Sequence, residues 1–192
     1  MPRWESGARE RLVLAALDLF TEQGYDATTV AQIAERAGVT KSTLFRHFPD
    51  KREILVAGQE TLSRLFAEGI ADAPRDATPL QAVAAGLERA SAEMGPVNRE
   101  IGPRLRAAVA ASAELQERDA LKTIGLTESM TTALLARGVP DATAHLAAEL
   151  GMLAFKRGFA EWSSLEGEPP YGLSHYTSTA LDELRAATAT LG

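Results

Sequence analysis

Between residues 41 and 52 the chain sets Lys41, Arg46, Lys51 and Arg52 against a single acid, Asp50, a net of +3 in a dozen positions. Hydroxyls at Thr40, Ser42 and Thr43, the ring of Phe45 and the imidazole of His47 are interleaved with these cations. Residues of these types recognise anions and polar edges. Ammonium and guanidinium groups meet phosphate or guanine acceptors, hydroxyls donate to or accept from bases and backbone, and a histidine ring donates from one nitrogen even when neutral. From Glu53 onward there are 12 basic and 19 acidic residues, a net of −7, so a cationic island precedes an anionic body. The overall charge of −6 alone argues against a nucleic-acid partner, but the distribution reverses that impression.

Catalytic sets do not assemble elsewhere. The three histidines, His47, His145 and His175, stand far apart, with no HExxH pair, no phosphate-cradling GxxxxGK loop and no GxSxG elbow. Glu166 and Glu168 fall in a loop rich in proline and read as solvated surface. The absence of cysteine removes disulfides, thiolate metal sites and cysteine nucleophiles. No enzymatic activity, metal or cofactor is expected.

Helices must position the cationic island. Apolar residues recur at three- and four-residue spacing with no sustained alternation, so the fold class is all-α. Val13, Ala16, Leu17 and Phe20 form the inner stripe of a first helix that Gly24 ends. Thr29 opens a second, with Gln32 as capping-box partner and Val30, Ile33, Ala34 and Ala37 inward. Gly38 permits the change of direction, Thr40 caps a short third helix with Leu44 and Phe48 inward, and Pro49 stops it. Two short helices joined by a glycine turn, the second with a polar outer side, are helix-turn-helix grammar. Lys41 and Phe45 then share one outward row, and Ser42 and Arg46 the next, placed to enter a major groove. A fourth helix is expected to start at Asp50 with Glu53 as box partner and Ile54, Leu55, Gly58, Leu62 and Leu65 inward. Lys51 would lie in its first turn, where free amides and the positive dipole end suit a phosphate. Past the break PRDATP, further helices are expected near 80–94, 99–110, 114–137, 142–165 and 173–191.

At 192 residues, with 45% hydrophobic and 24% charged residues, the chain suits one medium domain or a small domain joined to a larger one, with a real core. Its start lacks the layout of a secretion signal and no apolar run reaches the roughly 20 residues of a spanning helix, so a soluble cytoplasmic protein without membrane association is expected.

The string TTVAQIAERAGVTKSTLFRHFPDKREIL, with Phe20 and Gly24-Tyr25 before it, resembles the DNA-binding signature of the TetR (tetracycline repressor) family of transcriptional regulators. The resemblance covers the first quarter to third of the chain. It implies a helix-turn-helix DNA-binding domain at 1–52 and a helical effector-binding and dimerisation domain at 53–192, about nine helices in all. The implied function is a homodimeric repressor of adjacent genes, released from a palindromic operator by a small-molecule effector. Position by position, the resemblance gives Thr29 to phosphate at the start of the second helix. It gives Thr40, Lys41, Ser42 and Thr43 to bases and backbone, with Phe45 and Arg46 on the same face, and His47 and Lys51 to phosphate. Two positions depart from the pattern. Phe45 stands where tyrosine is usual, so apolar contact with sugar or a thymine methyl must replace a phenol-to-phosphate bond. Ala31 stands where many members carry an arginine, so the second helix contributes little discrimination. Arg3, Trp4 and Arg9 either add backbone contacts from the N-terminal arm or belong to a frayed terminus, and the second reading is the one a chain end favours. The alternative from another class is an all-α protein-interaction module without DNA binding.

In the body, Gly151, Ala154 and Gly158 form a small-residue strip, and Thr177, Leu181, Leu184, Thr188 and Leu191 recur along the last helix. With Gly151, Ala154, Gly158, Leu181, Leu184 and Thr188 at its seam, a symmetric four-helix bundle would make the dimer; packing within the protomer explains the same stripes. Met94, Met130, Met152, Phe155, Phe159 and Trp162 are the adaptable bulky residues for a partly apolar effector cavity, with Arg104 or Arg106 for an anionic end; core packing explains these too.

Overall fold

The structure, a computed structural model, describes residues 3–54 and 57–191, and among residues 3–6 the backbone alone. The side chains of Arg3 and Trp4, and the whole of Leu55, therefore lie outside the described residues. Among the described residues the chain forms nine α-helices and one 3-10 turn, with no strand. They fold into two compact units, residues 1–57 with 100–122, and residues 58–99 with 123–192.

In the first unit, α1 (Arg3–Gln23) turns Leu12, Ala16, Leu17 and Phe20 inward. The helix α2 (Val30–Arg36) starts as the sequence requires: the Thr29 hydroxyl accepts from the Gln32 amide at 3.3 Å, while the Gln32 side chain takes the Thr29 amide at 2.8 Å. Its end is a Schellman turn, with Val39 N–H donating to Ala34 C=O and Gly38 N–H to Glu35 C=O. Gly38 has φ +67°, a conformation that would strain a residue with a Cβ. Thr40 caps α3 (Lys41–His47) by accepting from the Thr43 amide at 3.1 Å. Leu44 and Phe48 are buried beneath it at 0% and 2% exposure.

The expected fourth helix begins later than Asp50. Asp50 does cap, accepting from the amides of Arg52 at 2.7 Å and Glu53 at 3.1 Å, but the turn it starts is the single 3-10 turn Arg52–Ile54. The long helix α4 (Gln59–Asp72) opens after Gly58, whose φ is +83°. A cap signal is the same for one turn as for a long helix, so the sequence could not tell them apart. Glu53, expected to close a capping box, pairs instead with Arg118 at 2.8 Å.

Residues 100–122 complete this unit. They comprise most of α6 (Pro96–Ala111) and the start of α7 (Ala113–Ala136). Ala108 and Leu115, at 1% and 0% exposure, join the core of α1 to α3, and Arg104 pairs with Asp18 at 2.8 Å. The head is thus wider than the stretch 1–52. Helix α6 also begins before Arg99, because Pro96 fits a first turn that needs no N–H and the Asn98 side chain accepts from the Gly95 amide at 3.0 Å.

The second unit packs α4, α5 (Pro79–Ala92), the later part of α7, α8 (Asp141–Ser164) and α9 (Leu173–Thr188) around one core. A Thr78–Gln81 capping box starts α5. The guanidinium of Arg137 donates to the carbonyls of Ile70, Ala71, Ala73 and Pro74, closing the end of α4. Arg99 does the same for the end of α8 through Trp162 and Leu165. No helix of the described residues is long and apolar enough to cross a membrane.

Candidate nucleic-acid interface

The face of α3 opposite Leu44 and Phe48 is exposed. Lys41, Ser42, Phe45 and Arg46 all lie on it, with Phe45 53% exposed. None of the four has a hydrogen-bond or ionic partner among the described residues. The net of +3 read from the sequence is not all available: Arg52 is held by Asp50 at 2.9 Å and Lys51 faces inward, which leaves Lys41 and Arg46 as the unpaired cations of the stretch. A third cation comes from α1, where the Arg9 guanidinium sits 5.2 Å from the centre of the Phe48 ring beside the end of α3. Sequence spacing could not place Arg9 there, since the approach depends on how α1 crosses α3.

The other expected contacts are differently engaged. Thr29, Thr40 and Thr43 lie at or near the interface, but their hydroxyls serve capping: Thr29 bonds Gln32, and Thr40 and Thr43 share a 3.0 Å hydrogen bond. His47 is half-buried and its Nε2 is shielded without a partner, so Nδ1 is the nitrogen left to reach an anion. Ala31 is half-buried and offers no polar group.

Lys51 departs furthest from expectation. Its Nζ donates to the carbonyls of Tyr25 at 2.7 Å and Thr28 at 3.1 Å, and stands 4.0 Å from the centre of the Tyr25 ring. With no long helix starting at Asp50, there is no helix N-terminus beside it to share an anion, and its charge is directed to the α1–α2 loop. The Tyr25 hydroxyl below is shielded from solvent and faces the Glu114 carboxylate. Burial, reinforced by the Glu114 carboxylate, pushes its pKa up to about 12.

In the second unit the structure gathers the expected effector residues but packs them. Met130, Met152, Phe155 and Trp162 are buried in one core, with Met94 and Phe159 against it. Their rings form a row, Phe66 to Phe155 at 5.1 Å, Phe155 to Phe159 at 6.1 Å and Phe159 to Trp162 at 6.0 Å. Two polar groups in this core, Trp162 Nε1 and Thr131 Oγ1, have no hydrogen-bond partner. Arg104 is not among them: it belongs to the first unit, where Asp18 and Glu100 hold it. A separate cleft of about 590 Å³ runs between α5, α8 and α9, lined by Leu80, Ala84, Leu146, Leu150, Leu181 and Thr188 among others.

The small-residue strip also turns inward. A Cβ on Gly158 would lie 2.6 Å from the Thr177 backbone nitrogen, and one on Gly151 would lie 2.4 Å from Val83 Cγ1. Ala154 and Leu181 are buried in the same core, with Leu184 half-buried against it. The strip therefore seats α8 on α9 and α5 within the protomer and is not free to face a partner. The face of α8 beside it carries Leu146 and Leu153, 59% and 46% exposed, with Leu150 between them.

Comparison with known proteins agrees with this geometry. Residues 12–57 match the family model described as bacterial regulatory proteins, tetR family. The chain is 40% identical over 75 residues to the HTH-type transcriptional regulator TcmR of Streptomyces glaucescens, covering 39% of this chain and 33% of TcmR. It is 29% identical over 137 residues to the HTH-type transcriptional repressor KstR of Mycobacterium tuberculosis, covering 69% and 59% respectively. The chain thus spans about a third of the length of TcmR. Among solved structures, FadR of Bacillus subtilis in complex with stearoyl-CoA aligns over 91% of this chain and 96% of its own, with TM-score 0.57 and 19% identity. A transcriptional regulator of Aquifex aeolicus aligns over 94% and 99%, with TM-score 0.55 and 20% identity. The N-terminal region of the tetR family of bacterial regulatory proteins is thus matched over residues 12–57, and the fold of the Aquifex aeolicus regulator is shared along nearly the whole chain.

Proposed function

We propose that the protein is a dimeric, DNA-binding transcriptional repressor of adjacent genes, released from a near-palindromic operator by a small-molecule effector. The observation that carries the reading is the exposed, unpartnered face of α3, with Lys41, Ser42, Phe45 and Arg46 on a helix braced by buried Leu44 and Phe48. Each head, residues 1–52 with the later segment that packs on it, enters a major groove with Lys41 and Arg46 as donors to guanine or phosphate. Ser42 donates to bases or backbone, His47 reaches phosphate through Nδ1, and Arg9 adds a backbone contact. Thr29, Thr40 and Thr43 fix the starts of α2 and α3 and meet the backbone only with the lone pairs that capping leaves. Half-sites lie about one helical turn, roughly 34–36 Å, apart or a multiple of it.

The remainder of 53–192, outside the segment that packs on the head, holds the effector and the dimer seam. The stripe of exposed Leu146 and Leu153 with half-buried Leu150 between them on α8 is the seam, in place of the buried Gly151 and Gly158. The effector is partly apolar and enters the core of Met130, Met152, Phe155, Phe159 and Trp162. Two unsatisfied donors support a ligand with hydrogen-bond acceptors, because a buried unpaired donor costs about 1–3 kcal/mol that an acceptor recovers. Such a ligand releases DNA only by binding the DNA-incompetent conformation more tightly. The protein is not an enzyme, requires no cofactor and works in the cytoplasm.

The test is a gel shift with the full chain on duplexes flanking its own gene and on duplexes selected from a random pool. A retarded band that excess random DNA does not remove is expected. Failure to retain any duplex at about 0.1 M salt, where phosphate contacts still contribute, would leave the protein-interaction alternative standing.

A further inference from the structure

We infer that Phe45 is a specificity-determining residue that reads the C5-methyl group of a thymine in each half-site, an inference that rests on the DNA-binding reading above. On α3 every other large apolar side chain has a seat: Leu44 and Phe48 are at 0% and 2% exposure, whereas the Phe45 ring is 53% exposed and touches no aromatic neighbour. It shares its row with Lys41, four residues before it, and lies beside Ser42 and Arg46 on the neighbouring row. All four reach outward from one short helix, so a duplex that meets Lys41 and Arg46 also meets the phenyl ring. The ring has no polar atom and cannot take a phosphate oxygen. A base edge in the major groove presents donors and acceptors except at one place, the thymine methyl, which is the one apolar group a phenyl ring can cover there. Deoxyribose is the other apolar surface of a duplex, but it lies on the backbone flank and carries no sequence information, whereas Phe45 stands in the row of the base-reading Lys41. The half of the ring now in water is then dried only on the sequence that places a methyl beneath it, which converts an exposed hydrophobe into discrimination.

The experiment uses the full chain. A duplex is selected from a random pool, each thymine is replaced in turn by deoxyuridine, and binding is measured for the wild type and for Phe45→Ala. Deoxyuridine keeps every hydrogen-bonding group and deletes the methyl alone. One thymine per half-site should respond, with binding weakened roughly fourfold per methyl removed, the factor expected from about 0.8 kcal/mol per buried carbon. In Phe45→Ala the same replacement should change binding less than about 1.5-fold, which is the signature of contact between the two groups. The substitution lies at an exposed position, so the variant's melting temperature should match the wild type's, and the wild-type scan stands without it. The inference is overturned if no thymine responds in the wild type, if the selected site has no thymine, or if the loss is equal in both proteins. If no duplex is enriched at all, the DNA-binding reading fails first and takes this inference with it.

Discussion

Replacing Lys51 by methionine separates two roles for the same cation. The methionine keeps the apolar stem but removes the ammonium that donates to the carbonyls of Tyr25 and Thr28. The Tyr25 carbonyl keeps a second donor, the Thr28 amide at 3.2 Å, while Thr28, 1% exposed, loses the side-chain donor that serves its carbonyl. One charged hydrogen bond lost outright contributes about 1.5–3 kcal/mol, and the shared bond together with the ring contact adds about 1 kcal/mol after discounting for the half-exposed lysine. The expected loss is therefore about 2.5–4 kcal/mol. At roughly 2–4 °C per kcal/mol for a chain of this size, the melting temperature should fall by about 5–16 °C. Were Lys51 a phosphate contact, the variant would keep its melting temperature and the slope of log affinity against log salt would drop by about 0.9. Thermal unfolding and a salt series on a retained duplex distinguish the two. A melting temperature within about 1 °C of wild type, joined to a shallower slope, would refute the inward assignment.

Three further outcomes follow from the geometry. The Tyr25 hydroxyl keeps its proton up to about pH 12 in the folded protein and to about 10 when unfolded, so its contribution is intact below pH 10 and is lost as pH rises toward 12; denaturant titrations at pH 8 and 11 should show a decline of about 1.4 kcal/mol that Tyr25→Phe removes, and identical pH profiles would count against the burial. Gly158→Ala forces a Cβ into the Tyr176–Thr177 backbone and should destabilise by about 1–3 kcal/mol, read as a lowered denaturation midpoint. An unshifted midpoint would mean that α8 and α9 do not approach so closely. Leu153→Glu, on the exposed stripe of α8, should give monomers by light scattering with a secondary structure like that of the wild type; an unchanged mass would exclude that seam.

The parts legible in the sequence are those governed by neighbours in the chain. Thr29 with Gln32, Thr40 with Thr43 and the turn at Gly38 act within three or four residues, and each stands where the pattern put it. So do the inward residues of α3, because helical period alone assigns Leu44 and Phe48 to one face. Length was the first thing to fail: the Asp50 cap is real, but nothing local says whether one turn follows or four. Partner choice was the second. A strip of Gly151, Ala154 and Gly158 declares that something comes close and is silent on whether it belongs to the same chain. The third was charge: Lys51 counts as a surface cation by composition, and only the carbonyls of a loop 23 and 26 residues earlier reveal its use.

Size accounts for the one feature that no local reading approaches, the return of residues 100–122 to the head. A unit of 57 residues buries about 60% of the surface its unfolded chain exposes and is marginal for that reason. At roughly 0.1 kcal/mol per residue its stability would be only about 6 kcal/mol. Full burial of Leu115 is worth about 2–3 kcal/mol and that of Ala108 about 1 kcal/mol more, so the added segment supplies a substantial fraction of what such a unit can have. Its ion pairs, Arg104 with Asp18 and Arg118 with Glu53, lie at side chains about a third exposed and orient the segment more than they stabilise it. Both ends of the segment lie within helices, α6 and α7, that continue into the other unit. The same two helices thus belong to both units, and residues 100–122 are the part of them that completes the core of α1 to α3.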